Sequence, residues 1–121
     1  MGLPKAHRLR ARQDYRAVYD RGIRRYSPHL TLIALPTKPD LIAAHPTLFG
    51  ISISKKVSKK AVVRNLIKRQ IKGVIRVYLP KIAPGWKVVI VVKPKAITCK
   101  YEHFLRELEE LLKQTKIING Y

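Results

Sequence analysis

The segment Ser58–Leu79 constrains this chain most, because it carries two different helical stripes at once. Projected at about 100° per residue, Val63, Ile67, Ile71, Val74, Ile75 and Tyr78 fall within roughly 120° of arc. Lys68, Asn65, Lys72, Arg76 and Arg69 fall within roughly 100° on another side, and Arg64 lies at the border. Lys60, Arg64, Lys68, Lys72 and Arg76 recur every fourth residue with no Asp or Glu among them. Like charges at that spacing repel by a few tenths of a kcal/mol per pair, and a helix with only a structural task would relieve this with Glu. The segment therefore predicts a long helix that docks one face and offers the other to an anion. Leu66 falls beside the apolar arc, which predicts a packing role for it.

A docking face needs a layer to dock on, and the rest of the chain supplies one. Leu48–Ser54 alternates, with Phe49, Ile51 and Ile53 on one side and Gly50, Ser52 and Ser54 on the other. This is a strand with one face in a core and one face open. Leu30–Leu35 and the β-branched run Trp86–Val92 read as two more strands. Gln13–Arg21 reads as a short helix stopped at Gly22, and Thr98–Ile117 as a second long helix whose apolar face is Phe104, Leu105, Leu108, Leu111 and Leu112. Residues 36–46, with three prolines, read as a loop. The order helix, strand, strand, helix, strand, helix predicts an α+β arrangement, with helices packed on a small sheet. At 121 residues and 46% hydrophobic, the chain fits one domain spanning residues 1–121, with residues 1–11 extended or flexible.

The charge then narrows the partner. Lys and Arg number 26 against 7 Asp and Glu, a formal balance of +19. Residues 41–101 contain 14 Lys or Arg and no acid, while Glu102, Glu107, Glu109 and Glu110 gather near the end. A solvated basic face would mix the signs; this distribution points to a polyanion, whose condensed counterions are released on binding. A membrane surface is disfavoured, because the apolar arc of the helix is needed for the core and carries no Trp or Phe. No apolar run is long enough to span a bilayer, and the basic N-terminus lacks an apolar core for a signal peptide. The single cysteine, Cys99, allows no internal disulfide and no Cys-x-x-Cys zinc pair. A reducing, cytoplasmic setting is expected.

The run from Ser54 to Arg69, Ser-Lys-Lys-Val-Ser-Lys-Lys-Ala-Val-Val-Arg-Asn-Leu-Ile-Lys-Arg, closely resembles the signature of the bacterial ribonuclease P protein component. Leu3-Pro4-Lys5 with Arg8-Leu9 resembles that family's N-terminus. Asp14–Tyr19 with Gly22 resembles its first helix, and Trp86–Pro94 its late strand and Lys-Pro turn. The resemblance implies a four-stranded mixed sheet with about three helices and a left-handed strand-helix-strand crossover. It also implies the protein subunit of a ribonucleoprotein that removes 5′ leaders from precursor tRNA. In that family the RNA subunit hydrolyses with Mg²⁺, and the protein supplies no catalytic side chain and needs no protein partner. By the same resemblance Arg64, Asn65, Lys68 and Arg69, with Lys60, Lys72 and Arg76 as neighbours, contact the subunit RNA. Arg forks onto phosphate oxygens, and Asn both donates and accepts. Tyr15 and Tyr19 match aromatic positions lining a cleft for the substrate leader, where an aromatic face in a cationic groove holds single strands with little sequence preference. Ser52, Ser54 and Lys56 would share the open sheet face by alternation, and Lys55 lies at the strand end. Three positions depart from the family pattern: Leu66 replaces an arginine, Ile33 an aromatic, and Val92 an arginine.

Two other classes share some of these features. A protein-only nuclease needs a general acid and base, or carboxylates on a metal. His7, His29, His45 and His103 show no ligand spacing, and Asp14, Asp20 and Asp40 are isolated. A ribosomal or other structured-RNA-binding protein shares the size and charge, and sequencing the RNA that co-purifies would separate it from the ribonuclease P reading. Tyr15 and Tyr19 also suit simple core packing, and Trp86 suits a core or strand-end position better than a stacking platform.

Overall fold

The computed structural model describes residues 3–37 and 46–118, so most of the expected proline-rich loop lies outside the described residues. Three α-helices, α1 (Arg12–Arg21), α2 (Ala61–Tyr78) and α3 (Tyr101–Gln114), accompany four strands, β1 (Ile23–Tyr26), β2 (Leu30–Pro36), β3 (Leu48–Ser52) and β4 (Trp86–Val92). The sheet runs β1-β2-β4-β3 and is mixed. β1 pairs with β2 and β2 with β4 antiparallel, whereas β3 pairs with β4 in parallel across the α2 crossover. The expected α+β sheet and its three helices are therefore present.

Strand alternation divides the sheet into two faces. Leu30, Leu32, Ala34, Phe49, Val88, Ile90 and Val92 join α2 and α3 residues in the main core. Ile33 and Val89 point the other way and are capped by Val18 of α1 and by Leu9. From Val88 to Val92, β4 is continuously apolar because the strand is central, with Val88, Val89 and Ile90 buried. Ile67, Ile71, Val74, Ile75 and Tyr78 are the buried residues of α2, matching the projected arc. Among the described residues, no helix is long and apolar enough to cross a membrane.

Some boundaries differ from the sequence reading, each for a local reason. α2 starts at Ala61 rather than Ser58, because Lys60 is still extended and its N–H donates to the Ser58 hydroxyl at 3.2 Å. α3 starts at Tyr101, after a 3-10 turn over Pro94–Thr98 and extended residues Cys99 and Lys100. It stops at Gln114, since Lys116 takes φ 61° and turns the chain back. Ile117 and Ile118 are then buried by reversal rather than by helical phase. β1 escaped the sequence reading because all four of its residues are exposed, leaving no hydrophobic pattern to read. The lead-in, expected to be extended or flexible, is docked: Leu3 and Leu9 are buried, and the Leu9 N–H donates to Phe49 C=O at 2.9 Å. That contact covers the outer edge of β3, where unpaired backbone would otherwise face water.

Candidate nucleic-acid interface

The first surface is the outer side of α2. Lys60, Asn65, Arg69 and Arg76 are exposed, and Arg64, Lys68 and Lys72 are half-buried. Arg64 is partly committed, since its Nη1 donates to Ser58 C=O at 2.9 Å. Among the described residues the ion pairs are His29–Glu107 and Lys87–Asp14, so none of these α2 cations is neutralised by an acid. Their charge is available to phosphates. Leu66 does not pack as expected. It is 49% exposed and continues from Val62, at 80%, as an apolar strip beside the cations. Leu66 lies outside the buried stripe of Ile67, Ile71, Val74, Ile75 and Tyr78, on the flank it shares with Val62.

The second surface lies on the opposite side of the sheet. α1 crosses β2 and β4, and its Tyr15 and Tyr19 pack half-buried against the small cluster of Leu9, Val18, Ile33 and Val89. The Tyr15 phenol rests on Gly50 of β3, where a Cβ would overlap it. Burial, and secondarily the charge that Tyr19 would carry, push the Tyr15 hydroxyl above its ordinary pKa. A Lys87–Asp14 ion pair of 3.0 Å ties the start of α1 to β4.

Strand register shows what α1 leaves uncovered. Tyr26 pairs with Thr31, Thr31 with Val91, and Val91 with Ser52, so these four share a row on the α1 face. Ser52 belongs to this row as expected, but Ser54 and Lys56 do not. β3 ends at Ser52, and the Ser54 hydroxyl instead accepts the Lys56 N–H as the chain turns over Lys55–Val57. Lys55 and Lys56 are exposed on that turn. Ile33 lies under α1 and is fully buried, and Val92 faces the main core, so neither offers a side chain to the cleft.

Three residues missed by sequence reasoning line the open row. Tyr26 is 63% exposed, with Lys93 Nζ 5.7 Å from its ring centroid. Lys93 also donates to Ser27 C=O at 2.6 Å, and Arg24 donates to Tyr19 C=O at 2.8 Å. A cation over an aromatic face is the combination that holds single-stranded bases and phosphates together. The available signal was the short Ile-Arg-Arg-Tyr run before Ser27-Pro28, readable as a strand only once its partner is known.

Comparisons agree with this architecture. The family model described as Ribonuclease P matches residues 3–116. A ribonuclease P protein component from Microcystis aeruginosa is 60% identical, with both chains covered fully. One from Rippkaea orientalis is 56% identical over all of this chain and 95% of its own. The Staphylococcus aureus RNase P protein superposes with a TM-score of 0.81 at 25% identity, covering 95% of this chain and all of that one. The RNase P protein of Thermotoga maritima shares the fold at 22% identity, with a TM-score of 0.75 over 89% of this chain and 96% of that one.

Proposed function

The chain belongs to the ribonuclease P protein family, and from that premise we propose that it is the RNA-binding subunit of a ribonucleoprotein that removes 5′ leaders from precursor tRNA. The unneutralised cations of α2 bind the subunit RNA, with Arg64, Asn65, Lys68 and Arg69 at the centre of the contact. Tyr15, Tyr19 and Ser52 hold the leader in the cleft beside α1, and Lys55 and Lys56 meet phosphates at the end of β3. Tyr26 and Lys93 extend that cleft along the open row. Hydrolysis belongs to the RNA subunit and its Mg²⁺, and the protein contributes binding and orientation. The observation that carries this reading is the separation of surfaces: a cationic helix on one side of the sheet, an aromatic cleft on the other. One protein of that shape can grip two RNAs at once.

Reconstitution tests it. The purified protein alone cleaves no precursor tRNA. Mixed with its cognate RNA subunit at low Mg²⁺, it stimulates leader removal. Absence of stimulation under those conditions refutes the reading.

A further inference from the structure

Outside both RNA surfaces, one group of side chains among the described residues has the chemistry of a metal site. His29 precedes β2, Cys99 lies in the link before α3, and Glu107 is on α3. They bring an imidazole nitrogen, a thiol sulfur and a carboxylate oxygen within 4.8 Å of one another. His29 Nδ1 stands 2.7 Å from Glu107 Oε2. The other carboxylate oxygen is already engaged, accepting the Ser27 hydroxyl and, at 2.9 Å, the His29 backbone N–H. Only Oε2 is therefore aimed at the group. Hydrogen bonds of this kind are how proteins pre-orient ligands around an ion.

We infer that His29, Cys99 and Glu107 form a binding site for a divalent ion of the zinc class, with the fourth position open to water. Nitrogen, sulfur and oxygen donors together suit a borderline-soft ion, not Mg²⁺ or Ca²⁺. Tetrahedral zinc, with bonds of about 2.0–2.3 Å, places neighbouring ligand atoms roughly 3.3–3.8 Å apart. The nitrogen and oxygen must part by about 1 Å or less, and the sulfur must close by about 1 Å. Side-chain torsions of three half-buried residues allow this. The ion takes the place of the proton between His29 Nδ1 and Glu107 Oε2; the imidazole stays neutral, with its proton on Nε2 and any second proton released to solvent, and the thiol proton also leaves to solvent. The ion's two charges then meet a thiolate and a carboxylate. The site also lies against α3, which carries Glu102, Glu107, Glu109 and Glu110, four of the chain's seven acids. His103 is a neighbour rather than a ligand: its ring is 6.3 Å from that of His29, and its Nδ1 accepts the Lys100 N–H. A bound ion would fasten the β1–β2 hairpin to α3.

Cobalt(II), titrated into the reduced full-length protein, reads the site directly. The expected result is one equivalent bound, with a thiolate-to-cobalt charge-transfer band and the visible bands of a four-coordinate ion, both reversed by zinc. Cys99→Ser abolishes the charge-transfer band, and Glu107→Gln weakens binding by about 10- to 100-fold. Zinc raises the Tm of the wild type but not of Cys99→Ser. Glu107→Gln also loosens the bonds to Ser27 and His29, so Cys99→Ser, whose side chain makes no hydrogen bond among the described residues, is the decisive variant. A wild type without the charge-transfer band, or a band that survives in Cys99→Ser, overturns the inference.

Discussion

Replacing Gly50 with alanine should displace one leader contact without touching the RNA-subunit surface. A Cβ at Gly50 would lie 2.6 Å from Tyr15 Cζ and 2.7 Å from Cε1. Carbon atoms in contact prefer about 3.5–4.0 Å, so the ring must retreat by about 1 Å. The backbone itself tolerates alanine, because Gly85 is the glycine with positive φ among the described residues. The colliding atoms are the tip of a side chain that can swing towards solvent. The folding cost therefore sits near the low end of the about 1–3 kcal/mol typical of overpacking. Stacking a base on an aromatic ring contributes about 1–3 kcal/mol, and a ring shifted by about 1 Å keeps only part of it. Preference for leader-bearing over mature tRNA should fall by roughly 3- to 10-fold, or about 0.7–1.4 kcal/mol. The assay is competition between the two tRNAs for the reconstituted holoenzyme, alongside the affinity of the protein for the RNA subunit. The latter should not change. In a Tyr15→Ala background, Gly50→Ala should add nothing, since the two changes act through one ring. A folded Gly50→Ala protein with wild-type discrimination would refute the placement of Tyr15 in the leader path.

The α2 face and the cleft make further predictions. Arg69→Ala weakens subunit-RNA binding and reduces the salt slope of log K by about one, as removal of a single phosphate contact does; an unchanged slope would remove Arg69 from the interface. Arg64→Ala does the same and also lowers the Tm, because its bond to Ser58 C=O contributes about 1 kcal/mol. Tyr15 is a neutral acid held above its ordinary pKa by burial, then by Tyr19. The stability this gives is therefore complete below the unfolded tyrosine pKa and lost as pH rises through the folded one. In an alkaline absorbance titration, Tyr15→Phe should remove one tyrosinate from the late-ionising end; removal of an ordinary one would mean that the ring is not buried as described.

How far the sequence carries depends on whether a residue's neighbours are local. The docking face of α2 was readable because its buried residues recur at helical spacing, and the alternation of β3 named Phe49 and Ile51 as core for the same reason. Alternation misled once the strand stopped. Ser54 and Lys56 have the right parity, but the chain turns after Ser52 and parity no longer means a shared face. Leu66 shows the corresponding limit of the wheel, where an angle near the apolar arc says nothing about whether another helix reaches that far. Tyr26 and Lys93 meet only through the pairing of β1, β2 and β4, and His29, Cys99 and Glu107 only through the docking of α3. No spacing in the chain encodes either group.

The turn between β3 and α2 links the two proposed RNA surfaces on opposite sides of one sheet. Gly50 and Ser52 belong to the cleft, and Lys60 opens the cationic row, with one short connection between them. Within it Val57 is buried in the main core and its N–H donates to Ser54 C=O at 3.1 Å, so the turn is pinned. Lys55 and Lys56 are thereby held exposed at the edge where the two faces meet. A flexible connection would let their charge follow whichever RNA bound first. A pinned one holds it between the two, where the two cations would offset the repulsion between phosphates of neighbouring RNAs. In the proposed function, subunit RNA along α2 would not compete with the leader for the same cations, because Arg69 and Arg76 are exposed on the outer side of α2 while Lys55 and Lys56 lie on the turn at the end of β3.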